Sequence, residues 1–177
     1  HRDLHSFPTR RSSIYELAHE DPVFSEIVDE AVRAAVRAGV PTRGGTRLPV
    51  IVSHDDVVVR LPEGAVLLAS SAGAPVQAWR VGGLLALQHH PESTPARIEY
   101  WRARSAARAM GVVRCEEEAE ALPASALPAG AVAEGRRARA EAERAEPVIQ
   151  AFGRALARVL VRRARARRAG AELLARI

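Results

Sequence analysis

The sequence predicts an α/β fold followed by a helical extension. Three observations predict it. Apolar residues recur at helical spacing from Phe24 to Val36. Short runs rich in Val, Leu and Ala, punctuated by Gly and Pro, fill the stretch from Leu48 to Gln88. After Thr94 the pattern turns helical again, and Glu134–Arg176 is helical by composition. The 177 residues suffice for one domain with a hydrophobic core, or for a piece of a larger one. An apolar content of 47% excludes a chain that is disordered as a whole.

Composition narrows the chemistry. Aromatic residues make up only 4%, so core volume must come from Val, Leu and Ala. Every basic residue is Arg, with no Lys, and Asn is absent. That is the signature of GC-rich coding DNA, and it weakens any functional reading of the +5 net charge. Cys115 is the only cysteine, which excludes an internal disulfide and fits a reducing cytoplasm. No apolar run reaches membrane-spanning length, and no signal peptide is recognised. A cytoplasmic protein with no membrane partner is expected.

His1–Ser13 has few apolar residues and no clear period. It resembles a translated sequencing-adapter peptide, and the chain starts without Met. The expectation is that residues 1–13 are non-native and that the natural chain is cut just before Ile14. Asp21-Pro22 is a helix start, since Asp caps and Pro tolerates the first helical position. The stripe Phe24, Ile27, Val28, Ala31, Val32, Ala35, Val36 follows, and Gly39 with Pro41 ends it. Thr42–Arg47 reads as an ordinary loop: a phosphate cradle at Gly44-Gly45 would need the Walker spacing and its Lys.

Strands are expected at Leu48–Ser53, Val57–Val59, Ala65–Ser70 and Val76–Val81, with turns at Leu61–Gly64 and Ser71–Pro75. Gly82-Gly83 fits a tight hairpin. The apolar run Leu84–Gln88 reads as a strand buried on both faces, with His89 and His90 at its C-terminal end. Open α/β sheets place their sites at such an edge. Thr94-Pro95 starts a helix that Gly111 stops. Val112–Arg114 reads as a short strand, and Glu116–Pro128 as a short helix and loop. In the last helix Val148, Phe152, Leu156, Val159 and Leu160 share one face, and Pro147 marks a break or a new start. Arg162–Arg168 carries five Arg in seven residues. Without aromatic interleaving or a DNA-binding module this reads as a solvated face, and no nucleic-acid partner is expected.

The chemistry is concentrated in His90-Pro91-Glu92. Pro91 restricts its own φ and pushes His90 toward extended backbone, so that Glu92 can fold back onto the imidazole. A carboxylate on one ring nitrogen fixes the tautomer and raises the basicity of the other. This is the base and orienter of a nucleophilic triad without its nucleophile. Cys115 lies downstream among carboxylates that disfavour a thiolate, and it is read as incidental. His54, Asp55 and Asp56 form an acidic cluster with no second histidine at ligand spacing, so no metal is assigned.

The same stretch resembles the C-terminal half of a class I (triad-type) glutamine amidotransferase domain, in the style of the amidotransferase part of GMP synthase. The carriers are S-H-D-D-V-V-V-R-L-P-E-G-A, then L-A-S-S…P-V-Q-A-W, then L-Q-H-H-P-E-S-T. Ser53, His54, Asp56, Leu61, Pro62, Gly64, Ala69, Ser71, Gln77, Ala78, Gln88, His90, Pro91 and Glu92 fall in order on the family pattern. Two positions depart from it: Asp55 stands where the family often has Gly, and His89 where it usually has Phe.

The resemblance implies a flavodoxin-like fold. Residues 14–111 would be the C-terminal half of the amidotransferase domain, and 112–177 a mostly helical extension. It implies His90 as catalytic base, Glu92 as its orienting acid, and His54 and Asp56 at the active-site rim. It implies hydrolysis of glutamine through a γ-glutamyl thioester, with ammonia passed to an acceptor on a synthetase partner and no cofactor. The family's nucleophilic Cys, in a G-x-C-x-G elbow, is missing, so the chain as it stands is expected to be inactive. Two other readings remain open: a non-catalytic interaction or regulatory protein of amidotransferase-like fold, and a γ-glutamyl hydrolase of the same superfamily.

Overall fold

The structure, a computed structural model, describes residues 12–17, 21–42, 45, 47–54, 56–72 and 74–174, with main chain only over 12–17 and 169–174. Its elements are β1 (Ser12–Leu17), α1 (Pro22–Ala38), β2 (Arg47–Ile51), β3 (Val66–Ser71), β4 (Ala74–Val81), β5 (Leu84–Leu87), α2 (Pro95–Ala109), α3 (Glu116–Ala121) and α4 (Ala129–Leu174). The fold is α/β: one five-stranded sheet, order β2-β1-β3-β4-β5, with helices packed against it. Every strand pairing is antiparallel.

The helix boundaries obey local chemistry. Asp21 Oδ1 accepts from the Val23 and Phe24 amides, both at 3.0 Å, and Pro22 follows as the first helical residue. At the far end Gly39 takes φ 66°, and the Gly39 and Val40 amides close on Val36 and Ala35 carbonyls. That is a Schellman motif, open to Gly because it lacks a Cβ. α2 repeats the scheme, with Thr94 as N-cap and the Gly111 and Val112 amides closing on Arg108 and Ala107. This closure turns the chain straight into α3, so the strand expected at Val112–Arg114 does not form.

The sheet departs from expectation in three places. β1 was not foreseen. It places Ser12 and Ser13, which had been set aside, opposite Ile51 and Val50. Main-chain pairing does not depend on side-chain identity, so a strand of any sequence can serve there. Residues 1–11 lie outside the described residues. Val57–Val59 is not a strand; its main chain is held by a side chain instead, with Gln88 Oε1 accepting from Val58 N at 3.3 Å and Gln88 Nε2 donating to Asp56 O at 3.2 Å. Finally, β5 is not a strand buried on both faces. It pairs only with β4, and Leu84 is 55% exposed. Its run of apolar residues reflects packing of Leu85 and Leu87 at the margin of the core, not a central position.

β2 is the other edge strand, which is where Pro49 with no N–H to donate can be tolerated. Alternation along β2 serves two cores. Leu48, Val50 and Val52 join Phe24, Ile27, Val28 and Ala31 of α1, Leu68, Ala69 and Ala78 of the sheet, and Val148, Phe152, Ala155 and Val159 of α4. Ile51 faces the other way, onto Ile98 of α2 and Ala138, Ala142, Ala145 and Ile149 of α4. Residues 112–177 therefore contribute to the same cores as residues 14–111.

α4 runs unbroken through Pro147. Ala145 and Val148, on either side of the proline, are both buried against these cores, and that packing holds the helix where its own hydrogen bonding is interrupted. Leu160, expected on the buried face, is 50% exposed, and Ala155 takes its place in the core. Val36 at the end of α1 is likewise 70% exposed. α4 approaches its neighbours at two glycines. A Cβ on Gly135 would lie 2.7 Å from the Glu99 carbonyl oxygen on α2, and one on Gly153 would lie 2.6 Å from the Pro91 carbonyl oxygen.

Two predictions follow from these contacts. Gly153→Ala should destabilise the fold by about 1–3 kcal/mol, because the added methyl meets backbone. Gly130→Ala should be neutral or stabilising by up to about 1 kcal/mol, because it meets only the flexible tip of Met110. Urea midpoints of the two variants, measured side by side, check the contrast. Asp21 is buried and paired with Arg80 at 2.6 Å. Burial works against its ionisation, but the Phe24 amide, the Arg80 guanidinium and the Val23 amide outweigh it and hold the carboxyl below its usual range. The unfolded chain therefore takes up the proton first. The stabilisation is complete above the ordinary carboxylate pKa and is lost as pH falls through the folded value. Asp21→Asn, which keeps a capping oxygen, should flatten this acid limb of a stability-against-pH curve.

Candidate active site

The site forms where the two edge strands meet. After β5 the chain leaves β4 and crosses to the end of β2, where Val52 and His89 make an isolated antiparallel bridge. The His90 amide then donates to the Ile51 carbonyl at 2.9 Å. This pins consecutive histidines to a fixed register, and consecutive residues of an extended chain face opposite ways.

His89 faces inward. It is 5% exposed, and its ring lies edge-on to Phe152 of α4 with centroids 5.0 Å apart. Burial, with a smaller contribution from the neighbouring His90, pushes its pKa down to about 3. His89 is therefore neutral in the fold at any ordinary pH, and its ring packs against Phe152.

His90 faces outward and is half-buried. Its Nδ1 lies 2.8 Å from Glu92 Oε1, and its Nε2 lies 3.2 Å from the Ser53 carbonyl oxygen. The turn at Pro91-Glu92 brings the carboxylate back, with the Ser93 amide donating to the His90 carbonyl at 3.2 Å. Glu92 itself is 69% exposed, so the pair opens to solvent. A carbonyl oxygen only accepts, so the contact to Ser53 requires a proton on Nε2. With Glu92 on the other edge, both ring nitrogens face acceptors. Against the ring face stands Trp101 of α2, centroids 4.9 Å apart at 49°.

The sequence thus foresaw the His90–Glu92 pair and missed Trp101. The only available signal was indirect: Trp101 lies one helical turn beyond Ile98, on the buried face of a helix that starts five residues after His90. Of the rim residues, His54 is half-buried with its ring nitrogens shielded from solvent, while Asp56 is exposed and meets Gln88 through its main chain. Asp55 lies outside the described residues, as does Gly44. Among the described residues no group of three or more His, Cys, Asp or Glu could hold a metal ion.

Other positions in the ordered series have structural roles. Gln77 Nε2 donates to Ser71 Oγ at 3.1 Å, and the same oxygen accepts from Ala74 N, tying the β3–β4 turn. Ala69 and Ala78 are cross-strand partners, both fully buried. Gly64 takes φ 72° in a turn closed by Ala65 N to Pro62 O at 3.1 Å, as a type II turn demands.

Cys115 caps α3, which begins with three glutamates. It and His90 sit beyond opposite ends of α2, a helix about 22 Å long. The arginine segment of α4 is exposed from Arg162 to Arg168, and Arg162 pairs with Glu26 of α1. Among the described residues no helix is long and apolar enough to cross a membrane. Compared with known proteins, the chain matches no protein-family model and no curated protein.

The buried His89 sets a pH dependence. The unfolded ring takes a proton below about 6.5 and the folded ring does so only near 3. Stability is therefore complete above about pH 6.5 and falls as pH drops, by at most about 1.4 kcal/mol per pH unit for this one group. His89→Phe should remove that slope between pH 7 and pH 5, above the range where most carboxylates titrate. Urea unfolding of both proteins across this interval gives the measurement; parallel slopes would show that His89 does not carry the effect.

Proposed function

We propose that this chain is part of a class I glutamine amidotransferase, with His90 as catalytic base and Glu92 as the acid that orients it. The observation that carries the reading is the 2.8 Å contact between His90 Nδ1 and Glu92 Oε1 at a strand end fixed by the Ile51 carbonyl. With Glu92 at Nδ1, proton transfer falls to Nε2, which must exchange the Ser53 carbonyl for the nucleophilic thiol to perform it. The ordered motif series from Ser53 to Glu92 supports the same reading.

This reading requires a Cys elbow, with its oxyanion donors, that the 177 residues do not contain. It requires the parallel strands of a flavodoxin-like sheet as well, since the described strands are all antiparallel. His90 Nε2 accepts the thiol proton as sulfur attacks the γ-carboxamide carbon of glutamine. It returns the proton to the nitrogen as ammonia leaves, and a γ-glutamyl thioester forms. It then takes a proton from water, whose oxygen displaces the thiolate and yields glutamate. Glu92 holds the imidazolium through Nδ1–H in both halves. Ammonia passes to an acceptor on a synthetase partner, in the cytoplasm, and no cofactor is involved.

A second reading is a non-catalytic interaction or regulatory protein of amidotransferase-like fold. What favours it is the Ser53 carbonyl, which stands 3.2 Å from the nitrogen that a thiol would have to face. A γ-glutamyl hydrolase of the same superfamily would use the same two residues and differ in substrate.

The two main readings separate in one assay. The chain as it stands should release no ammonia from glutamine. A protein extended with the native upstream coding sequence should do so, and His90→Ala should lower kcat on the order of 10²–10⁴-fold. Ammonia release that survives His90→Ala would remove the role given to His90. An upstream sequence without a Cys elbow would favour the non-catalytic reading.

A further inference from the structure

The two contacts at the edges of the His90 ring do not by themselves fix its plane. Rotation about the terminal torsion of histidine is soft and roughly two-fold. Glu92 is an exposed side chain at a turn, and the Ser53 contact is long. Rotation of the ring out of its plane would carry Nδ1 away from Glu92 and Nε2 away from the Ser53 carbonyl.

The ring face is held by something firmer. The Trp101 indole lies 4.9 Å from it, centroid to centroid. Trp101 packs on the cluster of Ile51, Ile98, Ala138, Ala142, Ala145 and Ile149, and the Arg97 guanidinium lies over the indole at 5.5 Å. The His90 amide is bound to the carbonyl of Ile51, a member of the same cluster. The main chain of the histidine and the indole against its face therefore share one rigid support, built from β2, α2 and α4. A π face is also compatible with the cation that the ring becomes on taking a proton.

We propose that Trp101 is the positioning residue of this site: it holds the His90 imidazole in the plane where Nδ1 meets Glu92 and Nε2 faces the Ser53 side. Only the catalytic consequence rests on the amidotransferase reading. The ring orientation is a property of the chain as it stands.

The test is imidazole ¹⁵N–¹H correlation NMR on the labelled chain. Native His90 should show one set of ring signals, with nuclear Overhauser contacts to the Trp101 indole. Trp101→Met, which keeps apolar volume but removes the ring, should average or split the His90 signals, and Trp101→Phe should restore them. Unchanged His90 signals in Trp101→Met would overturn the proposal, even if the urea midpoint fell, because that is the outcome for a residue that only fills the core. If Trp101→Met does not fold, the native contacts decide: their absence overturns the proposal and their presence supports it. In the extended, glutamine-hydrolysing protein, Trp101→Met should lower kcat by about 10- to 100-fold with KM unchanged, and Trp101→Phe should recover most of it. A change in KM alone counts against positioning. Absence of any glutaminase activity would sink the amidotransferase reading and leave the NMR result to decide the role of Trp101.

Discussion

The seating of α4 on the turn after β5 is the contact on which the rest of this structure depends. At Phe152 and Gly153 one helical segment touches three other parts of the molecule. Phe152 meets Phe24 of α1, ring centroids 6.1 Å apart, and His89 at the sheet margin. Gly153 lets the helix backbone come down on the Pro91 carbonyl, where any side chain would hold it off. Without that approach, Phe152 could not reach His89, and the turn carrying Glu92 would have no floor. The long C-terminal helix is thus part of the site's foundation.

His89 and His90 show how a strand turns one sequence feature into two different environments. The bridge to Val52 fixes their register, so the pleat sends one ring in and the other out. His89 is neutral and packed on an aromatic ring. His90 is half in solvent between a carboxylate, a carbonyl and an indole. A slip of one residue would bury His90 and expose His89. The Ile51 carbonyl, which binds the His90 amide, guards against that slip with a main-chain hydrogen bond that no side-chain substitution removes.

What could be read from the sequence was what local chemistry decides. Asp21-Pro22, Gly39, Thr94-Pro95 and Gly111 marked helix ends because capping and left-handed backbone are local demands. Gly82-Gly83 marked a hairpin for the same reason, and Gly82 takes φ 52° between the paired residues Val81 and Leu84. The His90–Glu92 contact was legible because both residues lie within one turn. What failed depended on distant partners. β1 is a strand because β2 and β3 flank it. Val57–Val59 has strand composition, but the Gln88 side chain takes the Val58 amide and the neighbouring Asp56 carbonyl. Leu84–Leu87 reads as central only if an apolar run is taken to mean burial on both faces, and an edge strand packed on one face gives the same letters. Pro49 carried the opposite message for β2: a residue without an N–H belongs at an edge. Trp101 could not be assigned to the site from sequence, because its link to His90 runs through the crossing of α2 with the sheet.

The ordered motif series from Ser53 to Glu92 divides, in the structure, into two kinds of residue. Gly64, Ala69, Ser71, Gln77, Ala78 and Gln88 close turns, pair across strands or clasp a loop. Each has a sufficient reason in folding alone. His90 and Glu92 do not: a partly solvated side-chain contact at a turn adds little to stability, commonly less than about 1 kcal/mol. Yet this weak pair has been given a main-chain anchor at Ile51 and an aromatic wall at Trp101. Rigid support around a pair that contributes little to folding is what a catalytic group requires, because its rate contribution depends on position and its stability contribution does not. More of the surrounding core is thus used to hold the His90 imidazole still than its own contribution to stability explains.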